Sequence, residues 1–148
     1  TPAPSQTVVP AAAPEPTPQS LSAGDIQQIA AAHGVSPSLA AAIAWQESGF
    51  NNGMVSSANA RGVMQVMPGT WSWVQANLSS TRLDPSSPTD NVKAGSLYLA
   101  HLLRETNGDP AMAAAGYYQG LASVRRIGLL PETQRYVRNV MSLMKAAA

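Results

Sequence analysis

The sequence contains no cysteine, few charges and no long hydrophobic run. Without cysteine there is no disulfide framework, no thiolate metal site and no cysteine nucleophile. This absence does not decide the cellular compartment. Charged residues make up 11% of the 148 residues and the formal net charge is +1, so no strong field exists to attract nucleic acid or an acidic membrane. No run of about 18 apolar residues is present to insert into a bilayer. We therefore expect a neutral or modestly anionic partner.

Proline, by contrast, is concentrated at the N-terminal end. Residues 1–19 hold six prolines among Ala, Thr and Ser, a composition that favours extended, solvated backbone. We expect a disordered linker here that buries little surface and tethers the following domain to an upstream module; the alternative is an inert chain end. Because the chain begins with Thr1 and not with Met, we interpret it as a fragment or a processed product.

Residues 20–148 carry the signals of successive helices. Ser22 followed by Asp25 resembles a capping box, and Gly34 ends that helix. Ser36 and Pro37 supply an N-cap and a first-turn proline for a second helix, predicted to run to about residue 47.

The remaining helices are predicted from the same kinds of signal. A short helix follows Pro68, a longer one is capped by Asp90 and ends near residue 107, and Asp109 caps another before Pro110. A short turn is predicted over 123–127 and an amphipathic helix after Pro131. Strand signals are weak, so the predicted fold class is mainly α, with at most a small hairpin in the Gly- and Asn-rich loop over 48–65.

One acid, Glu47, has no evident structural role. It follows a small, apolar helix, and Ala42, Ile43, Trp45 and Phe50 suggest an apolar collar around it. Burial and the negative end of the helix dipole would both raise its pKa and keep it protonated near neutral pH. A protonated carboxyl in an apolar pocket suits glycoside cleavage, because the leaving sugar oxygen must take up a proton. The alternative is a solvated helix end.

Each of the other acids has a structural interpretation. They are Asp25 in the capping box, Asp90 and Asp109 as N-caps, Glu132 in a first helical turn, Asp84 in a turn, Glu15 in the linker and Glu105 on a helix flank.

Other residue types leave alternatives open. Met64 and Gln65 can form an apolar floor and an amide donor beside Glu47, or be an ordinary core Met and a surface Gln. Tyr117 and Tyr118 can stack on sugar rings or hydrogen-bond a catalytic group, or simply pack. The two histidines, His33 and His101, are isolated and lack partners at metal-ligand spacing, so we expect no metal site and no cofactor.

Four segments, in this order, resemble the catalytic domain of soluble lytic transglycosylases, a lysozyme-like family related to goose-type lysozyme. They are QESGFN, SSANARGVMQ, AGYYQG and ETQRYV, within a resemblance that spans residues 21–144. The resemblance implies an α+β lysozyme-like fold for the domain over 20–148. It identifies Glu47 as the single catalytic acid/base. It also implies substrate-binding or active-site roles for Ser48, Ser56, Gly62, Met64, Gln65, Tyr117 near the catalytic glutamate, and Tyr136 at the cleft. From its residue type alone, we expect Tyr118 to bind substrate as well.

Three positions depart from the family pattern. Asn59 replaces a usual Gly, which is tolerable because Asn also visits the left-handed region. Tyr118 replaces a usual Asn and adds an aromatic face where sugar contacts are expected. Asn52 replaces a frequent Pro, and we expect only a minor change in loop stiffness.

The resemblance implies a peptidoglycan lytic transglycosylase. Such an enzyme cleaves the bond from N-acetylmuramic acid to N-acetylglucosamine and leaves a 1,6-anhydro-muramyl end. The Pro-rich leader and YYQG resemble cell-wall proteins of actinobacteria, in which a LysM-like wall-binding module often precedes the linker. We expect a monomer, secreted or wall-associated, that binds glycan strands, does not bind nucleic acid and does not insert into membranes. The alternatives are a goose-lysozyme-like hydrolase and a catalytically silent glycan-binding domain.

Overall fold

Helices account for nearly all the regular structure in the computed structural model, which describes residues 13–147. The described residues form α1 (Ala23–Ala32), α2 (Pro37–Ser48), α3 (Pro68–Asn77), α4 (Pro88–Glu105), α5 (Pro110–Gln119), α6 (Leu121–Ile127) and α7 (Pro131–Ala147). The predicted mainly α fold class is confirmed.

Local capping signals explain where most of these helices begin. Ser22 and Asp25 form the predicted capping box at α1, and Asp109 caps α5. The predicted N-cap at Asp90 is wrong. Ser87 caps α4 instead, and its hydroxyl accepts the Asp90 backbone N–H at 3.1 Å. Ser87 and Pro88 repeat the Ser-Pro start of α2, so the helix begins earlier than Asp90.

The core is centred on α2, in which every residue from 39 to 44 is buried. Four of these six residues are alanines, and small side chains let α1 and α7 approach α2 closely. In α5, residues 113–116 are also small and buried, and this helix packs on α4, α6 and α7. The predicted turn over 123–127 is part of a complete helix, α6. The packing holds the C-terminal end of α2 next to α7.

The loop between α2 and α3 contains no regular strand. The expected hairpin is reduced to isolated antiparallel bridges, one between Val55 and Arg61 and one between Arg61 and Val66. Positive φ angles at Asn59, Gly62 and Gln65 turn the backbone every few residues, which interrupts a continuous ladder. The result is a tightly folded loop that carries several predicted site residues.

Part of the predicted linker packs against this loop. Pro14 is buried, the Glu15 N–H donates to the Pro85 carbonyl at 2.7 Å, and Thr17 and Asn52 are joined by a backbone and a side-chain hydrogen bond. Residues 14–19 therefore contact the domain; we call them the N-terminal strap. Residues 1–12 of the predicted linker lie outside the described residues.

Candidate active site

Glu47 lies at a cleft of about 330 Å³ between the end of α2, the loop before α3 and α5. Its lining residues are Glu47, Ser56, Ser57, Ala58, Ala60, Gln65, Met67, Tyr117 and Tyr118. Glu47 is the one acid in this lining. Four of the residues that the sequence singles out, Ser56, Gln65, Tyr117 and Tyr118, are thus brought to the same cleft as Glu47.

The protonation of Glu47 is set by burial and by one tyrosine. Burial raises the pKa of Glu47 from 4.5 to about 7, against the opposing effect of a hydrogen bond from Tyr136. The Tyr136 hydroxyl donates to Glu47 Oε2 at 2.9 Å. Burial, together with the nearby Glu47 charge, also raises the pKa of Tyr136 well above its ordinary value, so this hydroxyl keeps its proton. Near neutral pH the carboxyl is therefore present in both protonation states.

The side chains around Glu47 are not the apolar collar that the sequence predicts. Trp45 and Phe50 line a separate groove on the outer side of α2, where the Trp45 side chain is 53% exposed. The aromatic neighbours whose pKa values respond to the Glu47 charge are Tyr117 and Tyr136. Since Trp45 and Glu47 are two residues apart, they project about 200° apart around the helix, which explains the difference.

Gln65 presents a fixed acceptor to the cleft. Its backbone is left-handed, with φ 50°, and its side-chain amide donates to the carbonyls of Met54 and Gly62, each at 2.9 Å. Both amide hydrogens are thereby used. The group that Gln65 offers to a ligand is Oε1, so the amide-donor role expected from the sequence becomes an acceptor role.

Four predicted site residues, Ser48, Gly62, Met64 and Tyr136, do not line the cleft. Two of them, Met64 and Ser48, support the loop behind it. Met64 is fully buried and packs against Gly95 of α4, where a Cβ atom would come within 2.5 Å of the Met64 sulfur. Ser48 is buried as well, and its hydroxyl donates to the Val63 carbonyl at 2.6 Å. Neither side chain lines the cleft. Both position the segment 61–65 that ends in Gln65.

Two buried asparagines complete the support of this segment. Asn52 Oδ1 accepts the Val63 N–H at 3.2 Å. Asn91 accepts the Met64 N–H at 2.9 Å and donates to the Arg61 carbonyl at 3.1 Å. Sequence reasoning missed both roles. The one sequence signal for Asn52 is that Pro is frequent at this position in the family that the sequence resembles. No local sequence signal distinguishes Asn91.

Tyr117 and Tyr118 make different contacts. Tyr117 donates its hydroxyl to the Met64 carbonyl at 2.7 Å, so it anchors the loop and does not bond to Glu47. Tyr118 is 47% exposed on the rim of the cleft, and its ring stacks on Tyr136 with centroids 4.6 Å apart. Ser56 also lines the cleft, and its hydroxyl accepts the Ala60 N–H at 3.0 Å.

Fold and site together define a class: a small helical domain with a single, partly protonated carboxyl held by a tyrosine in an open cleft. A family model described as "Transglycosylase SLT domain" matches residues 25–136. The chain belongs to this family, and the resemblance recognised in the sequence is confirmed.

Individual relatives agree with the family. The chain is 30% identical over 131 residues to a soluble lytic murein transglycosylase of Salmonella typhimurium, covering 73% of this chain and 20% of that protein. It is 31% identical over 133 residues to a membrane-bound lytic murein transglycosylase C of Mannheimia succiniciproducens, covering 81% and 36%. The chain thus spans about a fifth to a third of the length of these curated relatives.

Solved structures share the fold. An inactive glutamate-to-glutamine mutant of the lytic transglycosylase Slt from Pseudomonas aeruginosa superposes with a TM-score of 0.74 at 28% identity, covering 82% of this chain and 23% of that one. Within residues 13–147 of the present chain, none of the helices is long and apolar enough to cross a membrane. The same residues include no group of three or more His, Asp or Glu side chains placed to hold a metal ion.

Proposed function

We propose that this domain is a peptidoglycan lytic transglycosylase that cleaves the bond from N-acetylmuramic acid to N-acetylglucosamine. The observation that carries the proposal is the partly buried carboxyl of Glu47, whose pKa is raised to about 7 at an open cleft. A general acid–base catalyst works best when its pKa is near the working pH. The inactivity of the glutamate-to-glutamine mutant of the Pseudomonas aeruginosa enzyme supports an essential glutamate in that relative.

Glu47 takes both proton-transfer roles in the proposed reaction. The protonated carboxyl donates its proton to the glycosidic oxygen as the bond to the muramyl C1 breaks, which releases the N-acetylglucosamine 4-hydroxyl. The resulting carboxylate then accepts the proton of the muramyl C6 hydroxyl as its oxygen bonds to C1. A 1,6-anhydro ring forms, Glu47 is protonated again, and no water is consumed.

Residues around Glu47 hold its carboxyl and orient the glycan. Tyr136 holds the carboxyl through its hydrogen bond to Oε2, which also stabilises the charged form between the two steps. Gln65 Oε1 accepts a hydrogen bond from a sugar hydroxyl or acetamido N–H. Tyr118 offers an exposed ring face to a sugar ring. Because the substrate is cell-wall polymer, we place the enzyme outside the cytoplasm.

A hydrolase of the goose-lysozyme kind would need to activate water. An inverting glycosidase does this with a second carboxylate about 6.5–9.5 Å from the acid. Among the described residues, Glu47 is the one acid that lines the cleft. The transglycosylase reaction, which needs a single carboxyl, therefore fits the site better than hydrolysis, and the raised pKa of Glu47 argues against a silent binding domain.

The test is the clearing of purified peptidoglycan by two matched variants. Glu47→Gln keeps the shape of the side chain but removes both proton transfers, each worth about 10²- to 10⁴-fold, so activity should nearly vanish. Glu132→Gln changes the exposed acid one turn before Tyr136 on α7 and should retain activity within severalfold of the parent. Substantial activity in the Glu47→Gln protein would refute the assignment.

A further inference from the structure

A second concave surface lies on the outer side of α2. It is centred on Trp45, whose side chain is 53% exposed although Trp is usually well buried. We call this surface the Trp45 platform; it consists of Trp45, Gln46, Phe50, Asn139, Ser142 and Leu143. It shares no lining residue with the Glu47 cleft.

The ring of Trp45 is held in place at some conformational cost. Phe50 has a positive φ of 69°, which is uncommon for a bulky residue. In this conformation its ring meets Trp45 edge to face, with centroids 5.1 Å apart and planes at 65°. Backbone strain of this kind persists where the surrounding structure requires it, and it is concentrated at binding sites. The exposed indole is therefore a preorganised surface.

The platform is apolar on one side and polar on the other. Trp45 and Leu143 separate an apolar groove of about 270 Å³ from a polar groove of about 300 Å³. The polar groove is lined by Gln46, Asn139 and Ser142, whose side chains make no hydrogen bond to any other residue that the structure describes. No charged side chain lines either groove.

This combination of groups matches a neutral, amphipathic ring. A pyranose has an apolar C–H face that can lie on an indole, and hydroxyl and acetamido groups at its edge that pair with amides and hydroxyls. The absence of lining charges does not favour an acidic or basic peptide. The polar groove, at about 300 Å³, lies at the lower limit of the range for small-ligand sites, which is about 300–1,000 Å³, and the apolar groove, at about 270 Å³, lies just below it.

We propose that the Trp45 platform is a second glycan-binding site that takes an N-acetylhexosamine of the same polymer that is cleaved at Glu47. This inference rests on the proposed function for its choice of polymer. The polar groove adjoins the catalytic side, because Asn139 lies one turn beyond Tyr136 on α7, about 4.5 Å along the helix axis. A strand bound at both places is retained more firmly than at either one alone.

The test measures binding separately from cleavage. In the Glu47→Gln background, which is expected not to cut its ligand, binding to purified peptidoglycan is measured by co-sedimentation. Trp45→Ala should weaken binding about fivefold or more. Asn139→Ala alters an exposed side chain of the polar groove and should weaken binding to a smaller extent. Ile127→Ala, the matched control, removes another large side chain that is 58% exposed and should bind like the parent.

A direct probe identifies the ligand chemistry. On addition of chitotetraose, the indole N–H resonance of Trp45, assigned by its absence from a Trp45→Phe spectrum, should shift. Unchanged binding by Trp45→Ala, equal losses in Trp45→Ala and Ile127→Ala, or no indole shift with millimolar chitotetraose would each overturn the proposal. The proposal would also be overturned if the parent protein self-associates and Trp45→Ala abolishes this self-association.

The result is independent of the catalytic assignment. If Glu47→Gln remains active, the proposed mechanism fails. The binding of Trp45→Ala and Ile127→Ala can then still be compared with chitotetraose as the ligand. If Glu47→Gln is inactive and Trp45→Ala binds like the parent, the platform proposal alone fails.

Discussion

At the scale of single residues, the protein balances two opposing effects on one carboxyl. Burial favours the neutral form of Glu47, whereas the hydrogen bond from Tyr136 favours the charged form; burial is the larger effect, and the pKa is raised to about 7. A fully desolvated acid would not release its proton, and a well-solvated one would not hold it near neutral pH. The balance suits a group that must donate a proton and then accept one.

The same balance predicts a pH-dependent difference in stability. The pKa of Glu47 is higher in the folded protein than the ordinary value of 4.5, so between about pH 4.5 and 7 the folded state binds more protons than the unfolded state. This contribution is favourable at low pH and is lost as the pH rises through that window. Glu47→Gln does not ionise and should therefore be more stable than the parent at pH 8, by roughly 1–3 kcal/mol, with the advantage disappearing near pH 4.

Urea unfolding at both pH values measures this difference. The parent at each pH is the control for effects of other titrating groups, because those groups are common to both proteins. A stability difference between Glu47→Gln and the parent that is the same at pH 4 and pH 8 would show that the folded protein does not raise the pKa of Glu47.

Two tyrosines should respond differently to loss of a hydroxyl. Tyr136→Phe removes the donor that stabilises ionised Glu47, so the pKa of Glu47 should rise and the alkaline limit of the pH–rate profile should move upward. Tyr117→Phe leaves the Met64 carbonyl without its donor and loosens the segment before Gln65. It should weaken activity without moving the pH profile. Equal pH profiles for the two variants and the parent would contradict this division of roles.

At the scale of elements, the sequence predicts helices well and the loop poorly. Ser-Pro and Asp-Pro pairs fix helix starts through local chemistry, and the prediction for Asp90 fails because the Ser87 and Pro88 pair a few residues earlier supplies the same signals. The hydrogen bond of Tyr136 to Glu47 joins residues 89 positions apart, and that of Asn52 to Thr17 joins residues 35 apart. Such contacts depend on tertiary packing and leave no local pattern.

The N-terminal strap is the element whose contribution differs most from the sequence expectation. Its Thr17 hydroxyl accepts from Asn52 Nδ2 at 2.7 Å, and the Asn52 side chain also supports Val63. Asn52 is 1% exposed with the strap in place, so removing the strap takes away both the cover and the hydrogen-bond acceptor of this amide. A chain that begins at Ser20 should therefore be less stable than one that begins at Ala13, by about 1–3 kcal/mol.

Thermal or urea unfolding of the two truncated chains checks this prediction. Thr17→Val, in the chain that begins at Ala13, is the matched control: it keeps the shape of the side chain but removes the acceptor for Asn52, and it should reproduce part of the loss. Equal stability of the two truncated chains would mean that the strap adds nothing to the domain.

At the scale of the whole molecule, α2 is shared by two surfaces. Its last turn places Glu47 in the cleft, and its opposite side presents Trp45 next to α7. The low charge of the chain, with a net charge of +1, suits a long neutral polymer better than a polyanion. The sequence indicated the fold, the family and the acid that lies at the cleft. It did not reveal the second surface, because an exposed Trp and a buried Trp look alike until the helices are packed.

The central claim is that one carboxyl carries out the reaction and that the muramyl C6 hydroxyl, not water, captures C1. The most direct measurement is mass spectrometry of the products released from purified peptidoglycan in ¹⁸O-water. We predict muropeptides that end in unlabelled 1,6-anhydro-muramic acid, each lighter by one water than a reducing-end product. Reducing muramyl ends that carry ¹⁸O would contradict the account and identify the protein as a hydrolase.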